Sequence, residues 1–268
     1  MSDADYSEEA DFADKDRILA DISHWLEVIL GHPEHVRALE IGGAGGMLAG
    51  MFANKYGHVV CTDVVDWNSQ YGGEFLKLVS EKFIRNGRQF DFARLEMLVA
   101  NAENLCFRDN YFDVVFSLNA LEHIANPLAA LREVIRVTRP GGIIYLNFDP
   151  VWTADSGSHF LHRIGEPWAH LVKSDQEITS IMSQNGASTD EINSFMNHMN
   201  RLPAAFYRDN FPEVVKNCGS RIVQFNCWSG VCDDAFLEHE NLKFAAQHLQ
   251  TPIEDLLIRG FQFVIVKD

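Results

Sequence analysis

Hydrophobic residues in the first half of the chain alternate between short strand-like runs and longer stripes at helical spacing. Each strand-like run ends in a polar residue or a turn, and the stripes between the runs repeat every three to four residues. The predicted strands cover residues 36–41, 58–63, 95–100, 112–117 and 143–148, and the predicted helices cover 15–30, 47–56, 75–83 and 126–135. This alternation predicts a mostly parallel sheet with helices on both faces.

The alternation stops after residue 149. Residues 150–172 have no clear period and are rich in Trp and His. Two capping-box patterns follow, Ser174-x-x-Glu177 and Ser188-x-x-Glu191, and each predicts a helix start. Two further runs, 221–225 and 261–266, read as closing strands. We therefore expect one α/β domain made of four segments: an acidic tail and covering helix (1–35), a ligand-binding half (36–149), an insertion acting as a lid (150–220), and closing strands and helices (221–268).

Charge and composition exclude several classes of function. The net charge is −16 with no basic stripe, which argues against nucleic acid as a partner. No apolar run approaches the roughly 18–20 residues of a membrane span, so we expect no membrane partner. The five cysteines are scattered, and the acidic N-terminal segment lacks the apolar core of a signal peptide. These features favour a reduced, cytoplasmic protein.

A glycine-rich loop follows the first predicted strand, and its spacing is informative. The nicotinamide fingerprint G-x-G-x-x-G fails in both registers, because Ala44 and Leu48 occupy glycine places. The phosphate-loop pattern fails too, since no Lys follows. The acid two places before the loop, Glu40, suits a ligand with a cationic group. A second acid, Asp63, lies about twenty residues further on, where carboxylates receive ribose hydroxyls.

Six sequence blocks in this order carry a resemblance to a known family. The blocks are residues 39–46 (LEIGGAGG), 62–63 (TD), 101–107 (NAENLCF), 112–117 (FDVVFS), 120–124 (ALEHI) and 136–142 (RVTRPGG). Together they resemble the class I S-adenosylmethionine (SAM)-dependent methyltransferases, in particular the small-molecule branch called type 11. The resemblance covers residues 36–148 and fades beyond them. It implies a Rossmann-like, doubly wound, seven-stranded mostly parallel sheet, with an α-helical insertion or lid after strand 5.

The resemblance also implies roles for the matched residues. The glycine loop would pass under SAM, Glu40 would lie near its amino-acid end, and Asp63 would accept both ribose hydroxyls. The implied cofactor-binding residues are Glu40, Gly42, Gly43, Ala44, Gly45, Gly46, Asp63, Asn101, Ala102, Glu103 and Ser117. Two positions depart from the family: Ala44 replaces its central glycine, and Asn101 replaces the usual acid of the adenine block. The alternative is a loop that binds another nucleotide, or nothing.

Three residues are candidates for the chemistry: Glu122 and His123 after the fourth strand, and His159 in the insertion. His159 is the preferred general base, whereas a structural histidine is the competing interpretation of His123. A similar Leu-Glu-His block with a further upstream acid is linked to a divalent metal in polyprenyl-quinone O-methyltransferases. Asn119 holds that upstream place here, and no Cys or Glu accompanies His159 and His162 at zinc-ligand spacing, so we expect no metal.

The aromatic insertion favours a partly apolar small-molecule acceptor under a lid. We therefore expect SAM-dependent methyl transfer, with S-adenosylhomocysteine as the product, to a small molecule, at oxygen more than at nitrogen or carbon. A SAM-binding protein without transferase activity and a nucleotide-sugar or nicotinamide enzyme with an atypical loop are the alternatives. The oligomeric state stays open, and a homodimer is one of the alternatives.

Overall fold

The computed structural model describes residues 7–31, 33, 35–230 and 233–268 of the chain. Residues 1–6 of the predicted acidic tail and Cys232 lie outside these residues. Seven strands form one sheet in the order β3-β2-β1-β4-β5-β7-β6. The strands are β1 (Ala38–Ile41), β2 (Val59–Asp63), β3 (Leu95–Val99), β4 (Phe112–Leu118), β5 (Thr138–Phe148), β6 (Ser220–Ser229) and β7 (Ile258–Lys267). Strand β7 is antiparallel to β5 and β6, and the other pairs are parallel. The predicted seven-stranded, mostly parallel α/β fold is confirmed.

Thirteen helices are assigned within the described residues. They are α1 (Glu8–Leu30), α2 (Met47–Tyr56), α3 (Trp67–Gln70), α4 (Phe75–Arg85), α5 (Pro127–Val137), α6 (Leu161–Ile164), α7 (Ala169–Val172), α8 (Asp175–Gln184), α9 (Thr189–Asn197), α10 (Ala204–Asn217), α11 (Asp234–Leu237), α12 (Glu240–Leu249) and α13 (Ile253–Leu257). None of these helices combines the length and the apolar character that crossing a membrane requires.

The core lies on both faces of the sheet because successive strand residues point in opposite directions. On one face, Ile143 and Tyr145 of β5 pack with helices α1 and α2. On the other, Leu146 and Phe148 pack with α5 and α10. The helices thus form two layers, and the carboxyl ends of β1, β2 and β4 share one edge of the sheet.

Local capping signals start the helices where the sequence predicts them. Both capping boxes are present, with reciprocal bonds between Ser174 and Glu177 and between Ser188 and Glu191. Asn126 caps α5, since its side chain accepts a hydrogen bond from the backbone N–H of Ala129 at 3.1 Å. These bonds satisfy backbone donors that the first helical turn leaves free.

Several elements differ from the sequence prediction. Helix α1 begins at Glu8, so part of the predicted acidic tail is helical. Strand β5 begins at Thr138, because residues 138–142 precede the predicted strand and extend it with an irregular register against β4. Helix α10 was not predicted, and Pro212 lies inside it. Its residues Tyr207 and Phe211 are fully buried against the core of the α5 face. Helix α10 therefore belongs to the helical layer of the sheet, although it lies within segment 150–220.

The described acids of the N-terminal segment are paired with a basic helix end. Glu8 binds Arg85 at 2.8 Å, Asp11 binds Lys82 at 3.1 Å, and Asp16 accepts two hydrogen bonds from Arg88. Helix α1 is thereby tied to the end of α4 and the turn after it. Part of the negative charge of the chain is balanced locally.

A buried aromatic ring provides a test of the core. Phe148 is 0% exposed and contacts the rings of Tyr207, Phe211, Phe261 and Phe263. Phe148→Ala should lower the free energy of unfolding by about 3–5 kcal/mol, because it removes apolar contacts and leaves a cavity. Urea unfolding followed by circular dichroism measures the change.

The matched control is Phe244, which is 55% exposed on α12. Phe244→Ala should change the free energy of unfolding by no more than about 0.5 kcal/mol. Equal losses in the two variants would mean that the aromatic cluster is not the core.

Candidate active site

The glycine loop lies at the carboxyl edge of the sheet and is held by backbone hydrogen bonds. The Gly43 N–H donates to the Thr62 carbonyl at 3.0 Å, which joins the loop to the end of β2. The Gly46 N–H donates to the Gly43 carbonyl at 2.7 Å, and Gly46 precedes α2 in the left-handed conformation. Ala44, which stands at the family's central glycine, has φ +36°. The loop keeps its shape without that glycine.

Two glycines of the loop have different surroundings. Gly42 has φ +64°, and a Cβ there would lie 2.3 Å from the Cβ of Ala120. It therefore permits close contact between this loop and the segment after β4. A Cβ on Gly45 would meet nothing within 4 Å. The space over Gly45 is open to a ligand.

Glu40 is a buried carboxyl beneath the loop. It is 3% exposed, and one oxygen accepts hydrogen bonds from the Ala49 N–H (3.0 Å) and the Cys61 thiol (3.6 Å). Burial raises the pKa of Glu40 to about 8, since the ionised form loses its water, and these two hydrogen bonds oppose the shift only in part. The Lys15 ammonium of α1 also acts on this pKa. The covering helix thus comes near the carboxyl.

Asp63 connects the loop to the end of β2. One of its oxygens accepts from the Ala44 N–H at 3.0 Å, and the other accepts from the Val65 N–H at 2.9 Å. A carboxylate has further lone pairs, so these bonds leave capacity for hydroxyl donors. Val64 and Val99 are 67% and 59% exposed. They add apolar surface beside Asp63, since β3 pairs with β2 so that Val99 lies opposite it.

The predicted adenine block has mainly structural contacts. The Asn101 side-chain oxygen accepts from the Glu103 N–H at 2.8 Å, and the Glu103 carboxylate accepts from the Asn126 N–H at 2.9 Å. Ala102 is buried, and the buried Ser117 hydroxyl donates to the Ile41 carbonyl at 3.0 Å. Asn101 keeps its side-chain amide donors and one further acceptor lone pair.

The three candidate chemical residues come together although the sequence separates them. One potential ligand atom from each of Glu122, His123 and His159 lies within 4.8 Å of those of the other two. The His123 and His159 rings are 4.9 Å apart between centroids. Glu122 is 1% exposed, His159 is half-buried and His123 is exposed, so the cluster runs from the interior to the surface. Gly42 of the glycine loop lies close to Ala120, two residues before Glu122. The cluster therefore lies beside the glycine loop.

Several polar atoms of this cluster lack partners among the described residues. Both Glu122 carboxyl oxygens and the His159 Nε2 are buried without a hydrogen bond. Burial raises the pKa of Glu122 well above its usual range and lowers the pKa of His159 to about 3. The pKa of His123 is also lowered, by loss of water around its ring. Buried polar atoms without partners are costly and call for an explanation.

The other histidines of the insertion lie apart from this cluster. His162 faces Glu191 at 3.4 Å, and the same carboxylate accepts from Arg163. His170 is buried against the Trp152 carbonyl at 2.7 Å. A separate cavity of about 330 Å³ lies at the amino ends of β1 and β2, between Arg37 and Tyr111. The unpartnered polar groups distinguish the carboxyl edge as the candidate site.

Comparison with known proteins identifies this architecture. Residues 39–146 match the family described as "Methyltransferase domain". Over this segment the chain is similar to the class I SAM-dependent methyltransferases. The matched segment runs from β1 into β5 and contains all the predicted cofactor-binding residues.

Two relatives by sequence carry names from quinone biosynthesis. The chain is 34% identical over 145 residues to the ubiquinone/menaquinone biosynthesis C-methyltransferase UbiE of Edwardsiella ictaluri, covering 50% of this chain and 54% of that protein. It is 28% identical over 113 residues to the ubiquinone biosynthesis O-methyltransferase of Parvibaculum lavamentivorans, covering 42% of this chain and 40% of that protein. The chain thus spans about half the length of the relatives it matches, or less.

A solved structure shares the fold of this chain. The phosphoethanolamine N-methyltransferase 2 of Haemonchus contortus, in complex with SAM, superposes with a TM-score of 0.50 at 18% identity. The match covers 90% of this chain and 51% of that one. The cofactor of the class is SAM, and the residues at the carboxyl edge fit it: open space over Gly45, a carboxylate at Asp63, and exposed apolar surface at Val64 and Val99.

Some residues of the site have no signal in the sequence. Val64 and Val99 read as ordinary strand-end residues, and only their exposure in the fold marks them. The His198 carbonyl, which accepts a hydrogen bond from the His123 ring at 2.8 Å, comes from the residue after α9. A backbone contact across 75 residues leaves no pattern in the side chains.

Gly45 offers a test of where the cofactor lies. Gly45→Val should leave the free energy of unfolding within about 0.5 kcal/mol of the parent, because the new side chain meets open space. S-adenosylhomocysteine should bind at least about tenfold more weakly, a loss of about 1.4 kcal/mol, if the ligand occupies that space. Isothermal titration calorimetry gives the affinity, and Gly45→Ala should show a smaller loss. Full affinity in the Val variant would move the cofactor away from this loop.

Glu40 gives the site a pH dependence. In the free protein it is mostly protonated below about pH 8. If its ionised form attracts the cofactor ammonium, binding releases a proton. S-adenosylhomocysteine affinity should therefore rise from pH 6 to 8, by at most about tenfold per pH unit, and level off above. Titrations across that range test this expectation, and Glu40→Gln should flatten the profile. A flat profile in the unaltered protein would show that Glu40 does not change charge on binding.

Proposed function

We propose that this methyltransferase transfers the methyl group of SAM to a hydroxyl oxygen of a partly apolar small molecule. The observation that carries the proposal is the Glu122–His123–His159 cluster, whose unpartnered polar atoms lie beside the glycine loop. Methyl transfer to carbon or nitrogen on the same fold is the alternative, because the names of the relatives above cover carbon and oxygen. A cytoplasmic location stays a prediction, and a homodimer stays one alternative for the oligomeric state.

We assign each proposed cofactor-binding residue a contact with one part of SAM, as the family resemblance implies. When bound, SAM supplies a methyl group already activated on a sulfonium centre, and S-adenosylhomocysteine leaves. The glycine loop would support it, Asp63 would receive the ribose hydroxyls, and Asn101 with Ala102 would flank the adenine. Glu40 would face the amino-acid end, and the backbone at Ser117 would contact the methionine portion. These placements are proposals for this chain.

The Glu122–His123–His159 cluster would orient the acceptor hydroxyl and accept its proton. The His159 Nε2 has no partner within the described chain, and it would accept the hydroxyl proton while the oxygen takes the methyl group. Glu122 and His123 would orient the hydroxyl. A proton acceptor matters more for a hydroxyl than for a carbon that is already nucleophilic, which is why the cluster favours oxygen.

The insertion would enclose the acceptor. Trp152 and Phe195 pack together at 6.0 Å between ring centroids, and the guanidinium of Arg201 lies 4.7 Å over the Trp152 ring. Arg201 also binds Asp175 at 2.8 Å, which ties α8 to the segment after α9. This aromatic cluster of the insertion supports a partly apolar acceptor, such as a hydroxylated aromatic ring of the kind that the relatives' names suggest.

The proposed activity can be tested with isotope-labelled SAM and a panel of phenols, quinols and aliphatic alcohols, with products identified by mass spectrometry. We expect O-methylated product from at least one aromatic hydroxyl. His159→Gln should lower kcat by about 10²–10⁴-fold, the range for general acid–base groups, without weakening S-adenosylhomocysteine binding. His162→Ala is the matched control in the same insertion and should keep its kcat.

Other outcomes discriminate the alternatives. Asp63→Asn should abolish product by weakening cofactor binding, which a calorimetric titration measures separately. Tight S-adenosylhomocysteine binding without transfer to any acceptor would favour a binding protein without transferase activity. Products methylated at carbon or nitrogen would contradict the assignment of oxygen but keep the methyltransferase class.

A further inference from the structure

The Glu122–His123–His159 cluster has a chemical feature that the proposed function leaves unexplained. Glu122 is 1% exposed, and neither of its carboxyl oxygens has a hydrogen-bond partner within the described chain. A buried carboxyl with no donor costs several kcal/mol unless something else satisfies it. A nitrogen from each of two imidazoles lies within 4.8 Å of a Glu122 oxygen, and each imidazole offers one lone pair when neutral.

Both histidines can present a lone pair to the cluster, and for His123 a backbone contact fixes the tautomer. The His123 Nδ1 lies 2.8 Å from the His198 carbonyl, which can only accept, so Nδ1 carries the proton and the Nε2 lone pair is available. The His159 Nε2 has no hydrogen-bond partner within the described residues, so its lone pair is available when the proton lies on Nδ1. Backbone carbonyls that fix the second ring nitrogen in this way are the usual outer support of metal-bound histidines.

We propose that Glu122, His123 and His159 bind a divalent transition-metal ion, with Zn²⁺ as the best match. Two imidazole nitrogens and one carboxylate form a common three-ligand set that leaves a coordination position open. The ligand atoms lie within 4.8 Å of one another, whereas neighbouring ligands around Zn²⁺ are about 3.4 Å apart for bonds of about 2.1 Å. Side-chain adjustments of about 1 Å close the difference.

This ligand set differs from the one that the sequence resemblance suggests. Asn119, at the upstream place of the metal-linked block, accepts a hydrogen bond from the Asp149 N–H at 3.3 Å. His159 supplies the third ligand instead, from the insertion, with a left-handed backbone at φ +65°. Such a conformation is unfavourable for a bulky side chain, and it is typical of residues that the surrounding structure holds for a function.

The surroundings are compatible with a cation. The nearest basic side chain that acts on His159 is Arg259, which pairs with Asp149 at 3.7 Å. His123 is exposed, so an ion and an acceptor can reach the cluster from the surface. This inference rests on the proposed function only for its role: a bound metal would coordinate the acceptor hydroxyl and favour loss of its proton. With an ion bound, His159 would be a ligand, so the loss of the hydroxyl proton would be favoured by the ion and not by His159 as a base.

The test is binding of Zn²⁺ and Co²⁺ to the full chain after chelator treatment. Calorimetry should show one tight Zn²⁺ per chain. The Co²⁺ absorption spectrum should show nitrogen and oxygen ligands without a thiolate charge-transfer band, which excludes Cys61, Cys106, Cys218, Cys227 and Cys232 as ligands. Glu122→Gln and His159→Ala should each weaken Zn²⁺ binding at least about tenfold, because each removes a direct ligand.

Two controls keep the result interpretable. His123→Ala alters an exposed residue, so it tests the ligand set even if the buried variants fail to fold. His162→Ala leaves the cluster intact and should bind Zn²⁺ like the parent. No Zn²⁺ or Co²⁺ binding, or equal binding in every variant, would overturn the metal site. Methyl transfer that survives chelation but is lost in His159→Gln would also overturn the metal role, while it would support the proposed function with His159 as the base.

Discussion

The close contact between Gly42 and Ala120 determines the layout of this protein's site. A side chain on Gly42 would place its Cβ 2.3 Å from the Cβ of Ala120, so only glycine lets the two loops meet. One loop follows β1 and carries residues that we propose bind the cofactor. The other follows β4 and carries Glu122 and His123. Because parallel strands end at one edge of the sheet, a single contact between neighbouring strands brings the proposed cofactor site and the proposed acceptor site together.

The second constraint is polar burial. Glu40 and Glu122 are both buried carboxyls, yet their surroundings differ. Glu40 accepts hydrogen bonds from Ala49 and Cys61, which link β1 to α2 and β2. Glu122 has no such donor within the described residues. The first carboxyl has a local structural partner, whereas the second fits a ligand that binds between the β4 loop and the insertion. The proposed metal or the proposed acceptor would provide a partner for the Glu122 carboxyl.

The sequence predicts those parts of the fold that depend on local periodicity. All seven strands and the helix starts at Asn126, Ser174 and Ser188 follow from apolar spacing and capping residues. Helix α10 was not predicted because Pro212 interrupts its apolar spacing. Its helical state depends on the burial of Tyr207 and Phe211 against the rest of the fold. Local signals do not report such burial.

The candidate site, like the fold, was predictable from the sequence only in part. The glycine loop and Asp63 have a fixed spacing along the chain, so their proximity follows from one β-α-β unit. The meeting of His123 and His159 spans 36 positions and depends on how the insertion folds back across the edge. The tautomer of His123 depends on the carbonyl of His198, which carries no sequence signal. Convergence of this kind is visible only in three dimensions.

The most direct test is a crystal structure of the chain with S-adenosylhomocysteine. The account predicts that the ligand lies over Gly45 with its ribose at Asp63, and that its sulfur faces the Glu122–His123–His159 cluster across a space sized for an acceptor. A ligand bound at another edge, or a sulfur turned away from the cluster, would contradict it.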